Sequence, residues 1–167
     1  MALIASIDWT DSAARLCVAA LAGAALGWER EARSKPAGLR THMLVALGSA
    51  LFMLLALELN DEYAKKLAAT GASASPVQLD AMRVLGGIIG GIGFLGGGAI
   101  IEARGSVRGL TTAASIWVVA AIGAACGLGY YAMAGTTVAL ALVVLVLVGF
   151  MESKIFPESG DKTDPPG

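Results

Sequence analysis

The feature that most constrains this chain is a long stretch without charge, since no charged residue occurs from Gly109 to Met151. A helix needs about 20 mostly apolar residues to cross roughly 30 Å of hydrocarbon, so this stretch is about twice the length of one membrane span. It is interrupted by the glycine turn Gly127–Gly129, which is followed by Tyr130 and Tyr131. We therefore predict a tight helical hairpin whose tyrosines lie at the membrane interface, where the ring is shielded and the hydroxyl is wet.

The composition excludes several classes of protein. Hydrophobic residues make up 56% of the 167 residues and charged residues 15%, against about 25% charged in a typical soluble domain. A net charge of -1 provides no basic surface for nucleic acid, so we expect no nucleic-acid partner. Two distant cysteines do not form a disulfide framework. A small integral membrane protein in contact with the lipid bilayer remains.

Three further apolar stretches are long enough to span a membrane, which predicts an all-α, polytopic helix bundle with five transmembrane helices. Residues 1–11 are expected to form a short extracytoplasmic lead, residues 12–156 a single transmembrane domain, and residues 157–167 a disordered cytoplasmic tail. The predicted spans are Ser12–Trp28, Leu39–Leu59, Ala81–Ile101, Thr112–Cys126 and Tyr131–Phe150.

The distribution of lysine and arginine predicts the orientation of the bundle, because cytoplasmic loops carry an excess of both. The loops after spans one and three and the tail contain Arg30, Arg33, Lys35, Arg40, Arg104, Arg108, Lys154 and Lys162. The loop after span two holds only Lys65 and Lys66, and the hairpin turn holds neither residue type. We therefore expect the N-terminus outside and the C-terminus in the cytoplasm.

Span three contains a dense run of glycines from Gly86 to Gly98. Small residues four positions apart, such as Gly86 and Gly90, let neighbouring helix backbones approach closely. Because glycines occur on more than one face, we expect span three to be a tightly packed helix at the centre of the bundle. The alternative is a broken helix that lines a polar site, as in some transporters.

An outer layer of two cations and two anions comprises Arg15, Glu58, Asp80 and Arg83. Ionisable groups at this depth are costly and are usually paired or functional. We predict that Arg15 pairs with Asp80 or Glu58, since an arginine–carboxylate pair is short and often bidentate. The alternative is that each side chain extends separately to the lipid headgroups.

An inner layer of polar residues consists of Glu29, Arg30, Arg40, Thr41, His42, Glu102, Arg104, Arg108, Thr111 and Thr112. The segment from Arg108 to Thr112 opens span four, and a threonine N-cap is expected there. We favour a capped helix beside cytoplasmic arginines. The alternative is an anion or an acidic partner held at this helix N-terminus, with Gly109 allowing close backbone approach.

Catalytic and metal sites find little support in the residues. His42 is the only histidine, and one histidine does not build a metal site. No cluster of carboxylates that could bind magnesium is apparent. No Ser/His/Asp order, HExxH motif or Walker loop occurs either. We expect no enzyme activity, no catalytic residues, no cofactor and no resident metal.

The motifs resemble the MgtC/SapB family of bacterial inner-membrane proteins over about residues 12–150. The matching segments are Gly27–Glu31, Lys35–Phe52, Asp80-x-x-Arg83, Gly86–Ile100 and Arg108–Tyr131. The resemblance implies a five-span inner-membrane protein that supports growth in low magnesium and survival inside macrophages. Similar proteins are reported to restrain ATP synthase or adjust membrane potential. The family's motif positions are Glu29, Arg30, Arg40, Thr41, Asp80, Arg83, Gly91, Gly93, Gly96, Arg108, Gly109, Thr111 and Thr112.

Many family members carry a soluble C-terminal domain after span five, and we expect this chain to lack it. The resemblance favours a non-enzymatic regulator that contacts another membrane protein, with a homodimer through a small-residue face as a further option. The alternative is a cation transporter or channel with span three lining the path. The regulator is favoured because the carboxylates lie at span ends, whereas a cation path should show them near the midplane.

Overall fold

The computed structural model describes residues 9–70, 81–103 and 106–155, and this part of the chain is helical apart from one short β-hairpin. The last helical stretch includes a π-helical segment, Val144–Val148, between α5 and α6. The elements are α1 Trp9–Ala32, α2 Leu39–Thr70, α3 Ala81–Gly98, β1 Ile101–Ala103, β2 Ser106–Arg108, α4 Leu110–Gly127, α5 Tyr131–Val143 and α6 Gly149–Ile155.

Among the residues that the structure describes, three helices are long and apolar enough to cross a membrane, which supports a membrane helix bundle. They are Leu39–Ala69, Leu110–Gly127 and Tyr131–Met151, and Met82–Gly98 is a shorter apolar helix. The helix α2 continues beyond the predicted end of span two, to Thr70. Its last turns carry the i,i+4 ion pairs Lys65–Asp61 and Lys66–Glu62, and such pairs support a helix where it is solvated.

The centre of the bundle is α4, which packs against α1, α2, α3 and α5. Its buried residues cover most of its circumference, whereas Ala134 is the buried residue of α5. One stripe of α4, which includes Ala114, Trp117 and Ala121, remains exposed. The buried residues of α4 are Thr112, Ser115, Ile116, Val119, Ala120, Ile122, Gly123, Ala124, Cys126 and Gly127.

The expectation that the glycine-rich span three is the tightly packed centre is wrong. A Cβ added to α3 would meet no atom of the described chain within 4 Å at Gly86, Gly87, Gly90, Gly91, Gly93, Gly97 or Gly98. Close contact occurs at Gly96, where that atom would lie 3.6 Å from the carbonyl oxygen of Ala113. The reason is that Ile88 and Ile92 fill the edge of α3 that packs on the bundle, and their bulk holds the other helices away from the glycine faces.

Close helix packing instead occurs at two pairs of glycines, one pair in α1 and one in α4. The two glycines of each pair are four residues apart. A Cβ on Gly23 would lie 2.6 Å from the His42 carbonyl oxygen. A Cβ on Gly123 would lie 2.3 Å from the Ala46 carbonyl oxygen, and the equivalent positions on Gly27 and Gly127 also meet the α2 backbone. The helix α2 is therefore clamped between two GxxxG faces, in the manner known from membrane helix pairs.

A short hairpin that the sequence analysis did not predict joins α3 to α4. Its strands are antiparallel, with Ile101 opposite Arg108 and Ala103 opposite Ser106. Gly109 then forms the N-cap of α4 with φ 89° and no side-chain hydrogen bond. The expected threonine N-cap is therefore wrong. The helix begins at Leu110, so both threonines already lie inside its first turn.

Replacing Gly109 with alanine is expected to lower the free energy of unfolding by about 2 kcal/mol, through left-handed strain and a backbone clash. The added Cβ would lie 2.0 Å from the Ala99 carbonyl oxygen. Unfolding by a strong detergent, followed by far-UV circular dichroism, measures the loss. Gly98→Ala is the matched control, since its Cβ would meet nothing within 4 Å. Equal stability of the two variants would contradict the role of Gly109.

Candidate functional site

The inner end of the bundle contains a buried polar network centred on His42, whose side chain is fully buried. Its Nδ1 lies 2.9 Å from the Gly38 carbonyl oxygen, and its Nε2 lies 3.0 Å from the Ser115 hydroxyl. Ser115 in turn donates to the Thr112 carbonyl oxygen at 2.8 Å. The network therefore joins the first turns of α2 and α4.

The donors and acceptors of this network fit either protonation state of the imidazole. A carbonyl oxygen only accepts, so Nδ1 carries a hydrogen toward Gly38. With a charged ring, Nε2 donates to Ser115 and the hydroxyl donates to Thr112. With a neutral ring, the hydroxyl rotates and donates to Nε2. A proton can thus be taken up or released with the rotation of one hydroxyl group.

The last turn of α1 contributes a buried ion-pair cluster. Glu29 Oε2 accepts a hydrogen bond from Arg30 Nε at 2.5 Å. The other carboxylate oxygen, Oε1, lies 2.6 Å from Arg33 Nε, and this ion pair does not have the geometry of a hydrogen bond. The Arg30 side chain is 3% exposed and that of Glu29 9%. Arg33 Nη1 lies 3.1 Å from the place a Cβ on Gly149 would occupy, so the cluster also touches the start of α6.

The loop between α1 and α2 is closed by Glu31, which the sequence analysis quoted only as part of a motif. Its Oε2 accepts a hydrogen bond from the Leu39 backbone amide at 3.0 Å. A carboxylate at a helix N-terminus satisfies an orphan amide and complements the helix dipole. A Cβ on Gly38 would lie only 1.7 Å from this oxygen, so glycine is required for the contact.

Exposed polar side chains surround the network, and we call them the inner rim: Arg40, Thr41, Arg108 and Thr111. Thr112 is buried among the network residues, and Gly109 caps α4 beside it. Arg104 and the side chain of Glu102 lie outside the described residues. The structure thus brings most of the predicted inner layer together at one end of the bundle.

At the other end, Arg15 has partners that the sequence analysis did not predict. Its Nε forms an ion pair with Asp11 at 2.7 Å, and Nη1 donates to the Gly127 carbonyl oxygen at 2.9 Å. A cation at a helix C-terminus binds the unpaired last carbonyls, which explains this choice of partner. Asp80 lies outside the described residues, and Arg83 is exposed. Arg15 therefore joins α1 to α4.

The glycine face of α3 borders an open cleft of about 610 Å³ between α2 and α3. Apolar side chains and glycines line it, and Gly91 is among them, whereas Gly93 is exposed outside it and Gly96 packs on α4. Within the described part of the chain, no group of three or more His, Cys, Asp or Glu residues could hold a metal ion.

Two features of the site were not predicted from the sequence. One of them, the packing of α2 on glycine pairs, has a recognisable sequence pattern. The pairs Gly23/Gly27 and Gly123/Gly127 have the GxxxG spacing, but the denser tract in span three drew the packing argument. The Ser115–His42 contact joins residues 73 positions apart. A serine within an uncharged stretch gives no indication of such a partner.

Comparison with known proteins finds a family match over most of the chain. The profile of the MgtC family matches residues 16–154. Protein MgtC of Salmonella typhimurium is 41% identical over 133 residues, which cover 78% of this chain and 50% of that protein. No solved structure matches the chain.

Two other relatives carry different names. The putative magnesium transporter YhiD of Escherichia coli is 43% identical over 131 residues, covering 78% of this chain and 57% of the relative. Protein SrpB of Synechococcus elongatus is 39% identical over 153 residues, which cover 86% of this chain and 76% of that protein. The chain spans about half the length of most of the curated relatives it matches.

Proposed function

Because this chain belongs to the MgtC family, we propose that it is a non-enzymatic regulator in the bacterial inner membrane. It acts by contact with another membrane protein and serves adaptation to low magnesium or acid stress, with a role in virulence. Five spans form one domain over residues 12–156, with the N-terminus outside and the C-terminus in the cytoplasm. The family resemblance and the positive-inside distribution support this arrangement.

The observation that carries the proposal is the construction of the inner end. The His42–Ser115 contact joins the starts of α2 and α4, and Glu31 in the last turn of α1 accepts a hydrogen bond from the Leu39 amide of α2. The exposed inner rim is thereby presented at fixed positions on a rigid base. Preorganised surfaces lose little conformational entropy on binding, which suits them to contact with a partner.

Charge reversal at Arg40 is expected to lower recovery of the partner about tenfold, because a like charge placed across an interface is costly. The measurement is co-purification of the tagged full chain from native membranes, with quantitative mass spectrometry. Arg83→Glu is the matched control, since Arg83 is also exposed but belongs to the outer layer. The absence of any reproducible partner, or equal losses in both variants, would contradict a contact-based regulator.

A cation transporter is the second candidate, favoured by the name of the YhiD relative and by the open cleft along α3. Purified protein in liposomes distinguishes the two functions. The regulator predicts no protein-dependent flux of magnesium or protons. Flux that is abolished by Gly90→Leu or Gly93→Leu would instead establish transport along α3.

A further inference from the structure

The cations at the two ends of the bundle differ in their ion pairs. At the outer end, Arg15, Lys65 and Lys66 each pair with a carboxylate four residues earlier in the same helix. Among the described residues, Arg83 is the exception there. At the inner end, a group of exposed cations forms no ion pair with any described carboxylate, and we call them the inner cations: Lys35, Arg40, Arg108 and Lys154.

The described carboxylates near the inner cations are already used by other groups. Glu29 pairs with Arg30 and Arg33, which leaves that cluster with a positive charge of its own. Glu31 accepts a hydrogen bond from the Leu39 backbone amide. An excess of positive charge therefore remains among the described side chains of the inner end.

The inner cations lie at the same end of the bundle but on four different elements. Lys35 is in the loop between α1 and α2, and Arg40 is in the first turn of α2. Arg108 ends β2 just before α4 begins, and Lys154 is in the last turn of α6. Helix ends are the places where a membrane protein meets the headgroup layer. Charges spread over several helix ends fit an extended charged layer better than one compact patch on a partner.

Exposed apolar side chains lie one turn deeper than two of the inner cations. Leu44 is four residues beyond Arg40 and is 68% exposed, and Phe150 is four residues before Lys154 and is 55% exposed. The Lys154 Nζ lies 4.7 Å from the centroid of the Phe150 ring. Residues four apart share a helix face, about 6 Å apart along the axis. Each face therefore presents charge toward the helix end and hydrocarbon toward the membrane, which is the order of the headgroup and acyl chains in a phospholipid.

We propose that the inner cations bind the phosphate groups of anionic phospholipids in the cytoplasmic leaflet. Arginine and lysine donate charge-assisted hydrogen bonds to phosphate oxygens, and basic residues beside a membrane attract its anionic lipids. A soluble acidic protein would pair with the cations but leave Leu44 and Phe150 uncovered. The binding rests on the membrane placement in the proposed function and not on the partner protein. Lys154 lies outside the inner rim, so a partner on the rim leaves it open to lipid.

Quenching of a local tryptophan by brominated lipids in liposomes tests the binding at Lys154. The probe is Phe150→Trp, in a chain whose native tryptophans are replaced by phenylalanine. We expect brominated phosphatidylglycerol to bind beside the probe about fivefold more tightly than brominated phosphatidylcholine, the scale of one basic residue at an anionic surface. Lys154→Gln is expected to abolish this preference.

Lys65→Gln is the matched control, because Lys65 is an exposed lysine of the outer end and is paired with Asp61. It is expected to leave the preference at the probe unchanged. Equal binding of the two lipids beside the probe would overturn the proposal. Equal effects of Lys154→Gln and Lys65→Gln would do the same.

A second probe, Leu44→Trp, reports on the lipid beside Arg40, and Arg40→Gln is expected to abolish the preference there. A preference at only one of the two probes would contradict binding by the inner cations as a group. The wild-type chain gives a readout that needs no substituted tryptophan. Lipid that co-purifies with it in mild detergent is expected to be enriched at least about threefold in anionic phospholipid over the bulk membrane, and the absence of enrichment would overturn the proposal. No partner protein is present in the liposomes, so this failure is distinct from a failure of the regulator.

Discussion

Replacing Gly123 with alanine is expected to lower the free energy of unfolding by about 3 kcal/mol, at the upper end of the range for overpacked cores. The added Cβ would lie 2.3 Å from the Ala46 carbonyl oxygen and 2.7 Å from its Cα. Both atoms belong to a helix backbone, so the contact is relieved only if α2 and α4 move apart. Equilibrium unfolding in mixed micelles, followed by circular dichroism, measures the loss.

Gly90→Ala is the control for this prediction, because it makes the same chemical change in a second apolar helix. A Cβ there would meet nothing within 4 Å, so we expect a change within about 0.5 kcal/mol. If Gly90→Ala is the more damaging of the two, the assignment of close packing to α4 rather than α3 is wrong.

Replacing Glu29 with glutamine is expected to cost about 3 kcal/mol, since removal of one partner from a buried ion pair leaves an uncompensated charge. Glutamine keeps the shape of the side chain but leaves Arg30, which is 3% exposed, without its carboxylate. Arg33, 37% exposed, also loses its partner but can be hydrated. The same unfolding measurement applies.

Asp61→Asn provides the comparison for Glu29, because it also removes one carboxylate from an ion pair. Asp61 and Lys65 are both more than half exposed, and exposed pairs contribute little, typically about 0.5 kcal/mol. Equal effects of the two substitutions would show that burial of Arg30 does not make the Glu29 pair important.

Hydropathy and turn residues predicted where the helices lie along the chain. They did not predict which helix is the most buried in the bundle. Leu39, Ala81 and Tyr131 begin helices where the apolar stretches predicted. Hydropathy measures the tendency of a segment to leave water, and the bilayer satisfies that tendency on any face. It therefore cannot distinguish the central α4 from the peripheral α3, since both are strongly apolar.

The candidate site was predictable in part for a related reason. Charge placement grouped Glu29, Arg30 and Arg40 at one end, because ionisable side chains avoid the hydrocarbon. The specific partners depend on helix rotation and depth, which small residues determine. Arg15 contacts Asp11 and Gly127. Predicting the contact with Gly127 would have required knowing that the start of α1 lies beside the end of α4.

The clamping of α2 between α1 and α4 has a consequence for the order of assembly during synthesis. Helices α1 and α2 are neighbours in the chain and can pair as soon as both are inserted, but the core closes only when α4 emerges. The intervening α3 must wait at the periphery, since neither GxxxG face contacts it. Segments that add little to the core open at low free energy, so α3, which contributes Ile92 to a core cluster, is expected to open at a lower free energy than the central α4.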